Sequence, residues 1–168
     1  MKGNTTMRKT TIAAALLAAT MLMTGCGGKE SSVTSSSSGS TAAESKTAAE
    51  LTAELMAAVE LPEMAEVTEE NMKIFYKIDS ADLVDHSAYI AGAGVYPDEF
   101  GVFVAKDKDT AAAIKVKLEE RIAKQRETYE SYSPDEMYKF DDCFVTVSGE
   151  TVFFSVCGDN ATAKSIFG

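Results

Sequence analysis

Cys143-Phe-Val-Thr-Val-Ser-Gly149-Glu150-Thr-Val-Phe-Phe-Ser-Val-Cys157 reads as two short strands around a two-residue turn. β-branched and aromatic residues fill both arms, and Gly149 at the first central position suits a type II′ hairpin. A loop of that length sets Val147 opposite Val152, Val145 opposite Phe154 and Cys143 opposite Val156. Every pair on that face is apolar, whereas a one-residue slip would set Val145 against Ser155. In this register Cys143 and Cys157 point to opposite faces, so a short S–S bond cannot close and both thiols are expected to be free.

Upstream of the hairpin lies the longest helical pattern. Asp109 or Thr110 is the expected cap, and the helix should run to about Ser131. Ile114, Leu118, Ile122, Gln125, Tyr129 and Tyr132 fall on one stripe at ~100° per residue. Ser133-Pro134-Asp135-Glu136 has the form of a new helix start, with a Ser cap and Pro in first position. Further back, Val84, His86, Ala88 and Ile90 alternate as a strand, as do Phe100, Val102 and Val104, with Gly92 to Glu99 as the loop between them. Thr47-Ala-Ala-Glu50 is a capping box opening one helix that Pro62 ends, and Thr68 opens a second, short one. Asp159 or Asn160 caps a closing helix. Helices and strands in this order predict an α+β domain: an antiparallel sheet of about four strands with the long helix packed across it and short flanking helices. The connections do not alternate as βαβ units would.

The chain begins differently. Lys2, Arg8 and Lys9 precede an apolar run from Ile12 to Met23, too short for the ~20 residues that span a bilayer, so residues 1–25 read as an export signal. Leu22-Met23-Thr24-Gly25-Cys26 resembles the lipobox of bacterial lipoproteins, which implies diacylglyceryl attachment to Cys26 and cleavage before it. Residues 26–46 are then a lipidated cysteine and a Ser-rich tether with a reach of roughly 25 Å, leaving 47–168 as one globular domain. The expected address is the extracytoplasmic face of the cell membrane. From Cys26 onward the charge is 13 Lys+Arg against 26 Asp+Glu, an acidic balance that argues against nucleic acid as a partner.

Motifs for chemistry are scarce. The single histidine, His86, sits among apolar neighbours and reads as a hydrogen-bonded core residue, so no metal is expected. Asp107-Lys-Asp109 fails as a calcium loop, because Ala112 and Leu118 fall where Gly and a bidentate Glu are needed. Gly92-Ala-Gly94 fails as a dinucleotide turn with Pro97 in the third glycine's place. No cofactor and no catalytic residue is expected. One constellation stands apart: Arg121, Gln125, Tyr129 and Tyr132 carry polar groups along what should be the buried stripe of the long helix. They serve either the fold or a binding patch.

Arg121-x-x-x-Gln125-x-x-x-Tyr129-x-x-Tyr132-x-Pro134-x-Glu136, followed by a strand, a Gly turn and an aromatic strand, resembles uncharacterised lipoproteins of Clostridia-type Firmicutes whose shared domain is DUF4358. The resemblance covers roughly Ala48 to Phe167. It implies a Gram-positive envelope lipoprotein and supplies no activity. The expected role is a non-enzymatic binding or interaction module for an envelope protein or small ligand, held to the membrane by the lipid on Cys26. The alternative is an envelope hydrolase using acidic residues.

Overall fold

The computed structural model describes residues 46–168. The readings of residues 1–25 as an export signal, and of Cys26 and the tether, fall outside them. The elements are α1 (Ala48–Ala58), β1 (Met64–Glu66), α2 (Glu69–Phe75), β2 (Leu83–Ala91), β3 (Glu99–Ala105), α3 (Lys108–Tyr132), β4 (Phe144–Ser148), β5 (Thr151–Val156) and α4 (Asn160–Phe167), with 3-10 segments at Ser80–Asp82 and Pro134–Phe140. The fold is α+β, with five antiparallel strands in the order β1-β2-β3-β5-β4. The fifth strand is β1, which at three residues is too short to show alternation in the sequence.

The hairpin register is as expected, with Val147 opposite Val152 and Val145 opposite Phe154. Gly149 has φ 63°, and Glu150 is not among the residues of positive φ, which is the type II′ pattern. Cys143 and Cys157 are both free.

Helices cover both faces of the sheet, not one. On the first face α2 and α3 bury Met72, Tyr76, Ile114 and Leu118 against Phe103 and Phe154. Tyr76 meets both of those rings edge-on, at 5.8 and 5.5 Å. On the second face α1 and α4 bury Leu55, Val59 and Phe167 against Phe100, Val102 and Phe153. Central β3 is therefore apolar on both sides, and six of its seven residues are buried. Gly101 is the tight point: a Cβ there would lie 2.8 Å from Ala88 Cβ and 2.9 Å from a Phe154 ring carbon.

Local details depart from the sequence reading. Val84 is 73% exposed because the ladder slips between Leu83 and Asp85, so Val84 is the extra residue of a bulge and Leu83 turns inward instead. His86 is half-buried, and its imidazole makes no hydrogen bond to another described residue, so only its backbone is tied, in the ladder opposite Phe103. The cap of α3 is Asp107, whose carboxylate accepts from Thr110 N–H at 2.7 Å. Pro134–Phe140 forms a 3-10 segment and not an α-helix. Ser133 already closes α3 through its N–H to the Tyr129 carbonyl, and Glu136 turns to Lys139 instead of completing a capping box.

Candidate functional site

Four connections converge at the end of the sheet where β3 begins. They are the α1–β1 segment, the β2–β3 loop, the 3-10 segment after α3, and the β5–α4 turn. Between them lies an open cleft of about 590 Å³ whose lining includes Glu60, Tyr96, Glu136, Tyr138, Lys139 and Asp159. Tyr96 and Tyr138 are 39% and 57% exposed, so aromatic surface is presented to solvent at the cleft.

Consecutive acidic residues, Asp98 and Glu99, anchor this end, and both are buried. Asp98 meets the Lys139 ammonium at 2.6 Å, and Glu136 meets the same ammonium at 2.7 Å. Lys139 Nζ also lies 5.3 Å from the Tyr96 ring centroid and 5.8 Å from that of Tyr138. Burial works against the Lys139 charge, but the two carboxylates outweigh it and hold the ammonium protonated. For Asp98 burial wins: its pKa is pushed up despite Lys139. Asn160 secures the segment by donating from its amide to the Lys139 carbonyl at 3.0 Å, while its own oxygen accepts from Ser155 and from Cys157 N–H.

Glu99, one residue on, points toward α3. Arg121 Nε lies 3.1 and 2.8 Å from its two carboxylate oxygens, and a second guanidinium nitrogen lies 2.7 Å from Oε2. Burial pushes Glu99 up, against Arg121 first and then Gln125, which favour the ionised form. The guanidinium rests on the rings of Tyr76 and Phe75, at 4.9 and 5.4 Å.

The four stripe residues thus do different things. Arg121 and Gln125 serve Glu99. Tyr129 is buried, and its hydroxyl lies 2.8 Å from both the Gly94 and Tyr96 carbonyls, tying α3 to the β2–β3 loop. Tyr132 is 66% exposed and packs edge-on to Tyr129. They do not form one patch. Arg121 does border an open groove, but beside Phe75 and Tyr76, not beside the tyrosines of its own helix.

Sequence reasoning missed Asp98, Glu99 and Lys139. The available signal was Asp98-Glu99 leading directly into the apolar run Phe100 to Ala105, where two charges at the mouth of a fully buried strand require partners. Burial pushes both thiols up, the wrong direction for a nucleophile. Among the described residues no group of three or more metal-ligating side chains comes together.

A family model described as "Domain of unknown function (DUF4358)" matches residues 57–157. The chain belongs to DUF4358. Both ion pairs and Tyr129 fall inside the matched DUF4358 span, whereas most of α1 and all of α4 lie outside it. No curated protein and no solved structure gives a significant match.

Proposed function

We propose that this DUF4358 protein is an envelope lipoprotein, lipidated at Cys26, whose domain binds a partner or small ligand in the cleft without performing chemistry on it. The carrying observation is the division of labour at that end of the sheet. The carboxylates whose pKa burial raises, Asp98 and Glu99, are held by cations and do not line the cleft. A general acid or base must reach its substrate. The groups that do reach the cleft suit recognition: two exposed tyrosine faces, the carboxylates of Glu60 and Asp159, and the Glu136–Lys139 pair, whose charges answer each other. Aromatic surface with a few convergent polar groups favours binding. One observation favours the hydrolase alternative. Asp98 Oδ1 is buried with no hydrogen-bond partner, so one carboxylate near the cleft is not fully spent.

The deciding experiment titrates the protein with soluble cell-wall fragments and follows backbone amides by NMR while product release is assayed. Shifts centred on Tyr96 and Tyr138, lost in Tyr138→Ala, with the fragments recovered intact, are expected. Fragment cleavage that disappears in Asp98→Asn would install the hydrolase instead.

A further inference from the structure

The two edges of the sheet are built differently. At one, β1 is three residues long, ends in Glu66 and is preceded by Pro62 and Glu63, the short and charged kind of edge that resists pairing with another chain. At the other, β4 runs Phe144-Val-Thr-Val-Ser148 with no charge and no proline, and Thr146, Val147 and Ser148 are exposed. Ser148 and Thr151 flank a two-residue turn, so they form a hydrogen-bonded pair, and pairs alternate from there. Residues 144, 146 and 148 therefore bond to β5, while Val145 and Val147 turn their N–H and C=O groups outward. No backbone group of another described residue meets them. Beside this edge, on the α1/α4 face, is a groove of about 250 Å³ whose walls include Phe144, Phe153, Lys164 and Phe167. A free ladder next to a pocket for alternate side chains is the arrangement that accepts an added strand.

We propose that β4 docks an extended peptide segment of a partner protein, apolar at alternate positions and basic at both ends. Charge selects this occupant. Asp141 and Asp142 stand exposed at one end of the edge and Glu150 at the other, on a chain whose net charge is −10. A second copy fits badly: symmetric pairing of two β4 strands about Thr146 sets Asp142 of each copy opposite Glu150 of the other, like against like. A peptide with lysines at its ends meets those carboxylates favourably. Its central aromatic residue enters the groove beside the rings of Phe144, Phe153 and Phe167, with Lys164 lying 5.4 Å from the Phe144 ring centroid. This edge does not share a lining residue with the tyrosine cleft, so its failure leaves that reading standing.

The test uses the full chain in detergent and a fluorescein-labelled peptide, Lys-Lys-Thr-Val-Phe-Val-Thr-Lys-Lys, against the same peptide with Glu in place of each Lys. The lysine peptide should bind saturably by anisotropy and slow amide exchange at Val145 and Val147, and the Glu peptide should bind far more weakly. Val147→Pro deletes an outward N–H but no bond to β5, and should weaken binding by about tenfold with the melting temperature kept. If that variant misfolds, Thr146→Lys puts a cation on the exposed edge and should produce the same loss. Equal binding of both peptides, or β4 amides that exchange unchanged, overturns the proposal. So does a dimer in sedimentation that Val147→Pro dissociates, which would make the second copy the occupant.

Discussion

A carboxylate sealed beneath a helix keeps its charge only while something answers it, and at Glu99 that is Arg121, with Gln125 beside it. Replacing Arg121 by Met keeps an unbranched stem but removes the guanidinium that rests on Phe75 and Tyr76, and it strands the acid. Loss of one partner of a buried pair costs about 3–5 kcal/mol. The deficit has a pH signature. Glu99 already sits above its ordinary value of 4.5, and losing Arg121 raises it further. A raised acid contributes stability at low pH that is lost as pH rises through its folded value, so the Arg121→Met deficit should be smaller near about pH 5 than near about pH 8. Adding Glu99→Gln should recover most of it. Urea denaturation at the two pH values checks this, and a deficit below about 1 kcal/mol at both, the range of exposed pairs, would contradict it. Arg121 and Gln125 were visible in the sequence as breaks in an aliphatic stripe. Glu99 was harder to single out, because in a chain with 26 acidic residues its one distinguishing mark is its place directly before the apolar run Phe100 to Ala105.

Helix starts were legible to within a residue at three of the four α-helices, the last of them read as Asp159 or Asn160. Thr47 with Glu50, Thr68 and Asp159 all cap as their spacing predicts. At α3 two carboxylates compete, and the apolar pattern misplaced the boundary at Asp109 or Thr110, when the acceptor stands at Asp107. Its bond to Thr110 N–H holds the Asp107 pKa below its ordinary 3.8. A depressed acid contributes stability above its unfolded value that is lost as pH falls toward the folded one, because the unfolded chain binds more protons there. Asp107→Asn keeps an acceptor at the cap but removes the titration. The variant should melt close to wild type at neutral pH and lose less on acidification below about pH 4. Thermal melts across that range decide it, and parallel curves for the two proteins would remove Asp107 from the acid response.

At the scale of the whole molecule, the fold class followed from element order, but the layering did not. Strand β3 reads as one alternating strand, and only its neighbours on both sides reveal that α1 and α4 close the face opposite α3. A three-residue edge strand and a bulge at Val84 leave no periodic trace at all. The cleft was illegible for a related reason: its walls come from four connections scattered from Ala58 to Asp159. The proposed address rests on Cys26 and is tested by metabolic labelling with a fatty-acid analogue. Wild type should take up label, and Cys26→Ser should not and should remain unprocessed or be released. Label persisting on Cys26→Ser would sever the protein from the membrane reading.

Gly101 carries a consequence for descent. With Ala88 and Phe154 closing on the space where a Cβ would go, no single mutation can place a side chain there without a clash in the middle of the sheet. A lineage that acquires alanine at 101 must first have made room on both sides, by glycine at 88 and a smaller group at 154. The order is constrained in one direction: a residue other than glycine at 101 should occur only in relatives where 88 and 154 have both already changed.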